Sequence, residues 1–326
     1  MSSEEVVGSG NEVGRPQHPQ SLRLTPPPLP PTIVSMSKSA TRTTRRWATN
    51  PTANYSSPEE IEAAFQAVAG KGGKANLGII GVPPRELLER ARALSRETLD
   101  MDMPIPGITP ADSERYLPKV FCATLRTVMA NALRLELDWL ILATGVDKCD
   151  GARFIALALR EVLKIPIITV ENLNFQRRGN PICQSDLPLL DKVQLIIGRV
   201  VGEDPRMQLA ACAPEYGFWG VPPHDFGVLE LFPSTTHVYG WTRCFENDVP
   251  ADLELEMHVD PDVPTVFYAQ SFCQKNALAL YLARKHNGLY VEADTGLTKS
   301  TRAKIEAFLA LNRASSVEGR ESSRGQ

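Results

Sequence analysis

The chain has 326 residues, 43% of them hydrophobic, which is enough for one large or two moderate domains with buried cores. The formal net charge is −3 at pH 7, so the composition shows no basic footprint for nucleic acid. No stretch approaches the roughly 18 apolar residues of a membrane span. We therefore expect a soluble, cytoplasmic protein with neither nucleic-acid nor membrane partners.

The first 57 residues differ in composition from the rest. They are rich in Pro, Ser, Thr and Arg, with TPPPLPP at 25–31 and TRTTRR at 41–46. Such a segment buries too little apolar surface to offset its ordering entropy, which predicts a disordered tail over 1–57. It could be a linker, a targeting peptide, or the result of a start placed too early, with Met36 as the later start. Its acidic beginning and its lack of an apolar h-region fit a targeting peptide poorly.

The next segments predict a helix-rich beginning. SSPEEIEAAFQAVA at Ser56–Ala69 has an N-cap serine, acidic residues in the first turn and apolar helical spacing, which predicts a helix. ANLGII follows as a short apolar run, and a second helix is expected from about Arg85 to Glu97. Residues 103–110 form a predicted loop. The next stretch predicts a helix that is interrupted near Pro118, with Cys122 early in its second half.

A βαβ unit follows, and it has a counterpart near the end of the chain. DWLILAT and IPIITVE predict strands on either side of the helix ARFIALALREVLK. PTVFYAQ and GLYVEAD likewise flank the helix KNALALYLARKH, and a final helix is expected from about Ser300 to Asn312. Such units indicate parallel sheets. We predict an α/β protein with two Rossmann-like, flavodoxin-like halves facing a cleft, over 58–180 and 181–313, followed by a polar tail over 314–326.

The region between these units is harder to interpret. VQLIIGRVV fits either a strand or part of a helix, and GFWGVPPHDFG has the Gly, Pro and aromatic content of a loop. THVYGWTRC shows the alternation of a short strand. The order of elements from Phe175 to Pro264 is not predicted.

The cysteines carry the main candidate site. Six cysteines without a CxxC pair support neither a disulfide scaffold nor a compact zinc site. Cys149 and Cys273 each follow a predicted strand, at the edge where open α/β sheets bind ligands. Cys122 lies on the helix that precedes the first of these strands. A buried thiol, a redox thiol or a metal ligand would each be compatible with these positions.

Three such cysteines could hold a [4Fe–4S] cluster and leave one iron open for substrate. Most clusters of this kind take four thiolates, and an open coordination position marks a catalytic metal site. Cys244 is either the fourth ligand or unrelated to the site. Cys183 and Cys212 have no such placement, and we expect both to be small buried hydrophobes.

The remaining motifs give weaker indications of function than the cysteines do. His224, in VPPHDFG, could act as a catalytic acid or base or could structure its loop. Arg177 and Arg178 could contact a phosphate-bearing ligand or lie in a solvated loop. The sequence contains no GxGxxG after a strand, no GxxxxGK[ST] and no GxSxG.

Several segments resemble one family in the same order along the chain. GVPPRELLERARALS, ERYLPKVFCATLRTVMANAL and DWLILATGVDKCDGAR are similar to motifs of the 2-hydroxyacyl-CoA dehydratase D-component family, which includes benzoyl-CoA reductase subunits. SFCQKNALALYLARKHNGLYVEAD and STRAKIEAFLA resemble its C-terminal motifs. The likeness covers roughly residues 75–175 and 262–312. The matched positions are Cys122, Cys149, Asp150, Arg153, Cys273, Glu292, Asp294 and Thr301–Leu309.

The resemblance implies a function. In that family three such cysteines hold a [4Fe–4S] cluster, which makes Cys122, Cys149 and Cys273 the expected metal ligands here. The implied activity is one-electron radical chemistry on an acyl-CoA thioester, either dehydration of a 2-hydroxyacyl-CoA or reduction of an aromatic one. An acyl-CoA substrate, a paralogous subunit and an ATP-dependent activator are the implied partners.

Two other hypotheses belong to different classes of protein. The chain could be a binding or scaffold paralogue on the same fold, with buried thiols and no cluster. It could also be a cofactor-free enzyme that uses His224 or Glu292 as its acid or base. Iron content separates the cluster hypothesis from both, and CoA-ester binding without cysteine dependence would favour the cofactor-free enzyme.

Overall fold

The computed structural model describes residues 55–145, 147–202 and 209–324, with side chains as far as Arg313. All of them belong to one of the two units into which the chain divides, Thr49–Gln326. The predicted N-terminal tail lies outside the described residues over 1–54. Among the described helices, none is both long and apolar enough to cross a membrane.

The N-terminal half builds a four-stranded parallel sheet. Its strands lie in the order β2-β1-β3-β4, and all three strand pairs are parallel. The elements are α1 (Pro58–Ala69), β1 (Ala75–Ile80), α2 (Arg85–Ala93), β2 (Ser95–Asp100), α3 (Ala123–Arg134), β3 (Trp139–Thr144), α4 (Asp150–Val162) and β4 (Ile167–Glu171).

The C-terminal half builds a second parallel sheet with the same pattern, in the order β6-β5-β7-β8. Its elements are α5 (Leu189–Gly198), β5 (Gly217–Trp219), β6 (His237–Tyr239), α6 (Trp241–Glu246), α7 (Leu253–Met257), β7 (Thr265–Gln270), α8 (Asn276–Lys285), β8 (Leu289–Ala293) and α9 (Lys299–Arg324). The predicted α/β class with parallel sheets is confirmed, including the units β3-α4-β4 and β7-α8-β8.

The central strands are buried along their whole length. All six residues of β3 and all six of β7 are buried, as expected for parallel strands covered by helices on both faces. Trp139 of β3 is fully buried, and its ring meets that of Phe65 of α1 edge to face, with centroids 5.2 Å apart. The apolar runs in the sequence therefore correspond to the two sheet centres.

The start of α1 follows the predicted capping pattern. Ser57 Oγ accepts a hydrogen bond from the backbone of Glu60 at 3.2 Å, and the Glu60 carboxylate accepts one from the Ser57 N–H at 2.7 Å. The Ser56 N–H donates to the carbonyl oxygen of Thr169 in β4 at 2.8 Å. The capping bonds fix the start of the helix, and the Ser56 bond attaches it to the sheet.

The predicted helix from Arg85 to Glu97 is too long. The helix α2 ends at Ala93, and SRETLD at Ser95–Asp100 forms the edge strand β2. This strand pairs with β1 on one side and has partly exposed, polar residues. Main-chain hydrogen bonds to β1 hold this strand, and they do not require apolar side chains. The strand therefore lacks the apolar alternation by which a strand is predicted.

Cys122 was predicted to lie inside a helix, and this prediction is wrong. It is the N-cap of α3, which begins at Ala123, and the residues before it form a 3₁₀ turn at Pro110–Ser113 and irregular turns. Pro118 has no N–H and restricts Leu117 to extended conformations, so the helical pattern cannot continue through it.

The middle region contains elements that the sequence left open. VQLIIG belongs to the helix α5, which decides between the two alternatives for that segment. GFW, expected to be part of a loop, forms the interior strand β5, and a three-residue strand is too short to show a period. The short strand predicted in THVYGWTRC is confirmed as β6. The helix α9 continues through the predicted polar tail as far as Arg324.

Candidate functional site

Three cysteines from separate parts of the chain line one cavity. Cys149 is the N-cap of α4, just beyond the carboxyl end of β3, and Cys122 is the N-cap of α3. Cys273 lies in the turn between β7 and α8. All three line an open cavity of about 570 Å³ and also a narrower, mostly apolar one of about 180 Å³. The structure therefore brings together the three cysteines that the sequence singled out.

The narrower cavity receives residues from both sheets. Its lining includes groups that follow the carboxyl ends of six strands, β1, β2, β3, β5, β6 and β7. In open α/β sheets ligands bind beyond these ends. The representative residues, in strand order, are Gly81, Asp102, Cys149, Val221, Trp241 and Cys273.

Local hydrogen bonds at this site favour a thiolate at Cys122. The Ala152 N–H in the first turn of α4 donates to Cys149 Sγ at 3.4 Å. A hydrogen bond from the Cys273 thiol lowers the pKa of Cys122 to about 6, against the opposing effect of burial. The same bond raises the pKa of Cys273, so Cys122 ionises first. Helix N-termini have this effect on cysteines in general, and the thiolate is the form that binds metals.

A glycine lets the two cysteine-bearing helices approach each other. A Cβ atom on Gly151 would lie 3.0 Å from Leu125 Cδ1 of α3 and 3.3 Å from the ring of Phe121. It would also lie 3.7 Å from Cys149 Sγ. Gly151 thus lies between Cys149 and the start of α3, where a larger side chain would push the walls of the site apart.

Two contacts hold α3 against the second sheet. The Gln270 side chain at the end of β7 accepts a hydrogen bond from Thr124 Oγ1 at 2.7 Å and donates one to the Pro222 carbonyl oxygen at 3.1 Å. Arg126 of α3 contacts the Asp294 carboxylate, just after β8, at 3.2 Å. Asp294 is one of the positions matched to the family motif, and here it helps to position the helix that begins beside Cys122.

Two lysines place positive charge on the wall of the larger cavity. Lys148, which precedes Cys149, pairs with Asp147 at 2.8 Å. Lys275, two residues after Cys273, contacts both oxygens of the buried Glu256 carboxylate, at 2.5 and 2.6 Å. Each lysine is thus held by a carboxylate next to a cysteine, and the charge of Lys275 opposes the rise in the pKa of Cys273.

Two carboxyl groups that the sequence did not indicate also line the narrower cavity. Asp102 accepts a hydrogen bond from the Gly81 N–H at 2.6 Å, and the Asp102 N–H donates to Asp100 Oδ1 at 2.9 Å. Asp100 Oδ2 is buried without a hydrogen-bond partner. Burial raises the pKa of both groups, and the nearby Asp102 charge adds to the effect on Asp100. Asp-x-Asp at a strand end could have signalled them, had β2 been predicted.

We expect Asp100→Asn to change how stability depends on pH. Because the folded-state pKa of Asp100 is raised, the native state loses stability as pH rises from about 4 through that pKa. Asparagine keeps the acceptor oxygen and does not titrate. The variant should therefore gain stability relative to the wild type as pH rises from about 4 to about 8. Urea unfolding across this range tests it, with the exposed Asp150→Asn as control; a pH-independent difference contradicts it.

The acid–base candidates from the sequence lie outside both cavity linings. His224 Nδ1 is 3.0 Å from the Thr295 carbonyl oxygen, and burial lowers the histidine pKa. Glu292 is on the exposed face of β8 and accepts a hydrogen bond from the Tyr290 hydroxyl at 3.1 Å. The structure therefore does not bring either residue to the cysteines.

The other cysteines are also separate from this cavity. Cys183 is fully buried, and its pKa is raised by burial. Cys244 packs with Val249 and Leu255 in a small apolar cluster and does not line the site, so the structure does not make it a fourth ligand. Cys212 is half-buried, with its thiol donating to the Ser185 carbonyl oxygen at 3.1 Å.

Two motif residues surround Cys149 without entering deeply into the site. The Asp150 side chain is exposed and lies 3.8 Å from Arg153, one turn further along α4. Asp150 lines the larger cavity at its outer edge, whereas Arg153 is not part of that lining.

The two arginines that the sequence singled out, Arg177 and Arg178, lie elsewhere. Arg177 pairs with Asp252, and its neighbour Arg178 lines a different cavity.

The donor set of the cysteine site is of the kind that a cluster takes. Within the described residues no group of three or more His, Cys, Asp or Glu converges on a point where one ion could be held. A [4Fe–4S] cluster is larger than an ion, and its thiolates approach from several directions. Three free thiols around one cavity, each near a cation or a helix N-terminus, provide such a donor set.

No family model matches the chain, and no curated protein is significantly similar to it.

Proposed function

We propose that the chain is the iron–sulfur subunit of an enzyme similar to the 2-hydroxyacyl-CoA dehydratases and benzoyl-CoA reductases. The observation that carries this proposal is the convergence of Cys122, Cys149 and Cys273 on one cavity. They occupy the positions that resemble the family's cluster ligands. The matching strand orders of the two sheets support the finer description of two flavodoxin-like halves facing a cleft.

The three thiolates would hold a [4Fe–4S] cluster with one iron open to substrate. When bound, the cluster would supply one electron at low potential to the thioester carbonyl, which makes the otherwise non-acidic β-hydrogen removable. The apolar wall beside the cysteines, with Ile80, Leu125 and Phe245, would exclude water from this chemistry.

The carboxyl pair beside the cysteines would handle protons. Asp100 Oδ2 is buried and unpartnered, and the raised pKa of Asp100 favours a proton at this oxygen. A protonated carboxyl group in the cavity lining can donate to a departing hydroxyl or a developing carbanion. Asp102, fixed by the Gly81 N–H, would hold Asp100 in place through its own N–H.

The same proposal includes three partners. An acyl-CoA would be the substrate, a paralogous subunit would complete a hetero-oligomer, and an ATP-dependent activator would deliver the low-potential electron. The exposed Phe272, 55% accessible beside Cys273, gives the site an apolar rim. This rim is where a substrate or a second subunit would make contact.

Iron and acid-labile sulfide per chain test the proposed function. After strictly anaerobic purification we expect about four of each per chain, together with the visible absorption of an iron–sulfur protein. Protein that stays free of iron after reconstitution would contradict the proposal and would favour a binding or scaffold paralogue with ordinary thiols. Binding of a CoA ester by such iron-free protein would favour a cofactor-free enzyme.

A further inference from the structure

A second cavity, separate from the cysteines, contains a cluster of arginines. It has a volume of about 440 Å³, and four arginines from three separate parts of the chain line it. Three carboxylates share this lining, of which Glu86 is exposed at the surface. The charged residues are Arg85, Arg92, Arg178, Arg199, Glu86, Glu171 and Asp248.

One carboxylate oxygen lies at the centre of the cluster. Asp248 Oδ2 is 3.0 Å from Arg178 and 3.3 Å from Arg199. It is also 3.9 Å from Arg85, which pairs at its outer side with the exposed Glu89. Three guanidinium groups thus surround the position of a single anionic oxygen. A phosphate group has several such oxygens and can accept bidentate bonds from more than one arginine.

The fourth arginine, Arg92, adds positive charge to the same lining. It donates hydrogen bonds to the carbonyl oxygens of Arg199 and Val200, which directly follow α5. Its Nε is buried and has no hydrogen-bond partner. Burial lowers the pKa of Arg92, and the nearby Arg85 lowers it further. The lining carries four arginines against three carboxylates, so an added anion would meet an excess of positive charge.

A helix N-terminus faces the same cavity. The nine-residue α2 begins after Pro84, which has no side chain able to cap it, and Pro84 and Arg85 both line the cavity. The first amides of a helix and its dipole favour an anion at this end. This is a second source of positive potential, independent of the side chains.

We propose that this cavity binds a phosphate or pyrophosphate group of an anionic ligand. We call it the arginine cavity, and it consists of Arg85, Arg178 and Arg199 around Asp248, with Arg92 on the same lining. Asp248 occupies the place of one phosphate oxygen and competes with the ligand for the three arginines around it. The sequence analysis left a phosphate contact open for Arg178, and this cavity gives that contact a defined position.

The arginine cavity is adjacent to the cysteine site. Gly81 lines the narrower cysteine cavity, and the next residue, Val82, lines the arginine cavity. At the end of α5, Ile197 likewise lines the narrower cysteine cavity and Arg199 lines the arginine cavity. A ligand could therefore place phosphates among the arginines and its reactive end near the cysteines. This extension rests on the proposed function, whereas the anion site itself does not.

Isothermal titration of the full chain, prepared without iron, with inorganic pyrophosphate tests the anion site. We expect binding by the wild type, at least about tenfold weaker binding by Arg178→Gln, and tighter binding by Asp248→Asn because the competing carboxylate is removed. Asparagine also suits the positive φ of 55° at this position, so the backbone should be retained. The matched control is Arg177→Gln, one residue away and paired with Asp252 outside the cavity.

Three results of the titration would overturn the proposed anion site. They are no binding by the wild type, equal losses in Arg177→Gln and Arg178→Gln, and weaker binding by Asp248→Asn with its fold intact by circular dichroism. Coenzyme A serves as a second probe: tighter binding than pyrophosphate identifies a larger ligand as the source of the phosphate, and equal or weaker binding identifies the free anion. Iron content should be the same in Arg178→Gln and wild type, so the cluster and the anion site can fail independently.

Discussion

Replacing Cys149 by alanine is expected to reduce the iron content of anaerobically purified protein from about four atoms per chain to near zero. The physical reason is that Cys149 is one of the three cysteines around a shared cavity that would bind the cluster under the proposed function, and the methyl group of alanine cannot bind iron. The measurement is iron and sulfide per chain, read together with the visible spectrum. The same loss is expected for Cys122→Ala and Cys273→Ala.

The control for this experiment is Cys212→Ala. Cys212 is also a half-buried free thiol, but it lies outside both cavity linings, so its replacement should leave the iron content unchanged. Cys149→Ser, which keeps the size of the side chain, guards against a folding defect. Full iron content in folded Cys149→Ala would contradict the proposed ligand set, and equal losses in the Cys212 variant would indicate a general effect of thiol removal.

Trp139→Ala is expected to cost about 3–5 kcal/mol of unfolding free energy, the largest stability effect predicted for the first sheet. Trp139 begins the central strand β3, is fully buried and packs edge to face on Phe65. Its removal would leave a cavity between the sheet and α1 that neighbouring strands cannot fill. Urea unfolding monitored by circular dichroism measures the difference.

Two further variants make the result specific. Phe154→Ala removes a ring that is 47% exposed on α4 and should cost much less. Trp139→Phe should also cost less than alanine, because Trp139 Nε1 is buried without a hydrogen-bond partner and phenylalanine removes this N–H. Similar losses for Trp139→Ala and Phe154→Ala would show that the packing of Trp139 on Phe65 is not central to the core of the first sheet.

The sequence alone was sufficient for the parts of the fold that have a strong local pattern. The apolar runs of β3 and β7 and the capped α1 were predicted because burial on both faces and capping boxes leave clear marks in the residues. The placement of Cys149 and Cys273 at strand ends was also visible. That placement puts each cysteine at the ligand-binding edge of its own sheet, and the structure brings these two edges to one cavity.

Elements held mainly by long-range contacts were not predicted. The polar edge strand β2 depends on bonds to β1, and β5 has only three residues, so neither shows a period. Missing β2 also hid Asp100 and Asp102, the carboxyl groups beside the cysteines. The position of Cys122 at a helix N-terminus, rather than within a helix, depended on where α3 begins.

The sequence by itself thus determined the α/β class and the placement of Cys149 and Cys273 at strand ends, because strand burial and strand-end position are local properties of the chain. Only the tertiary structure decided which charged groups meet in the second cavity. Arg85, Arg178 and Arg199 lie on segments far apart in sequence, and they meet around Asp248 because the chain folds them to one place. No local pattern of residues encodes such a meeting, since the charges become neighbours only when the elements that carry them pack together.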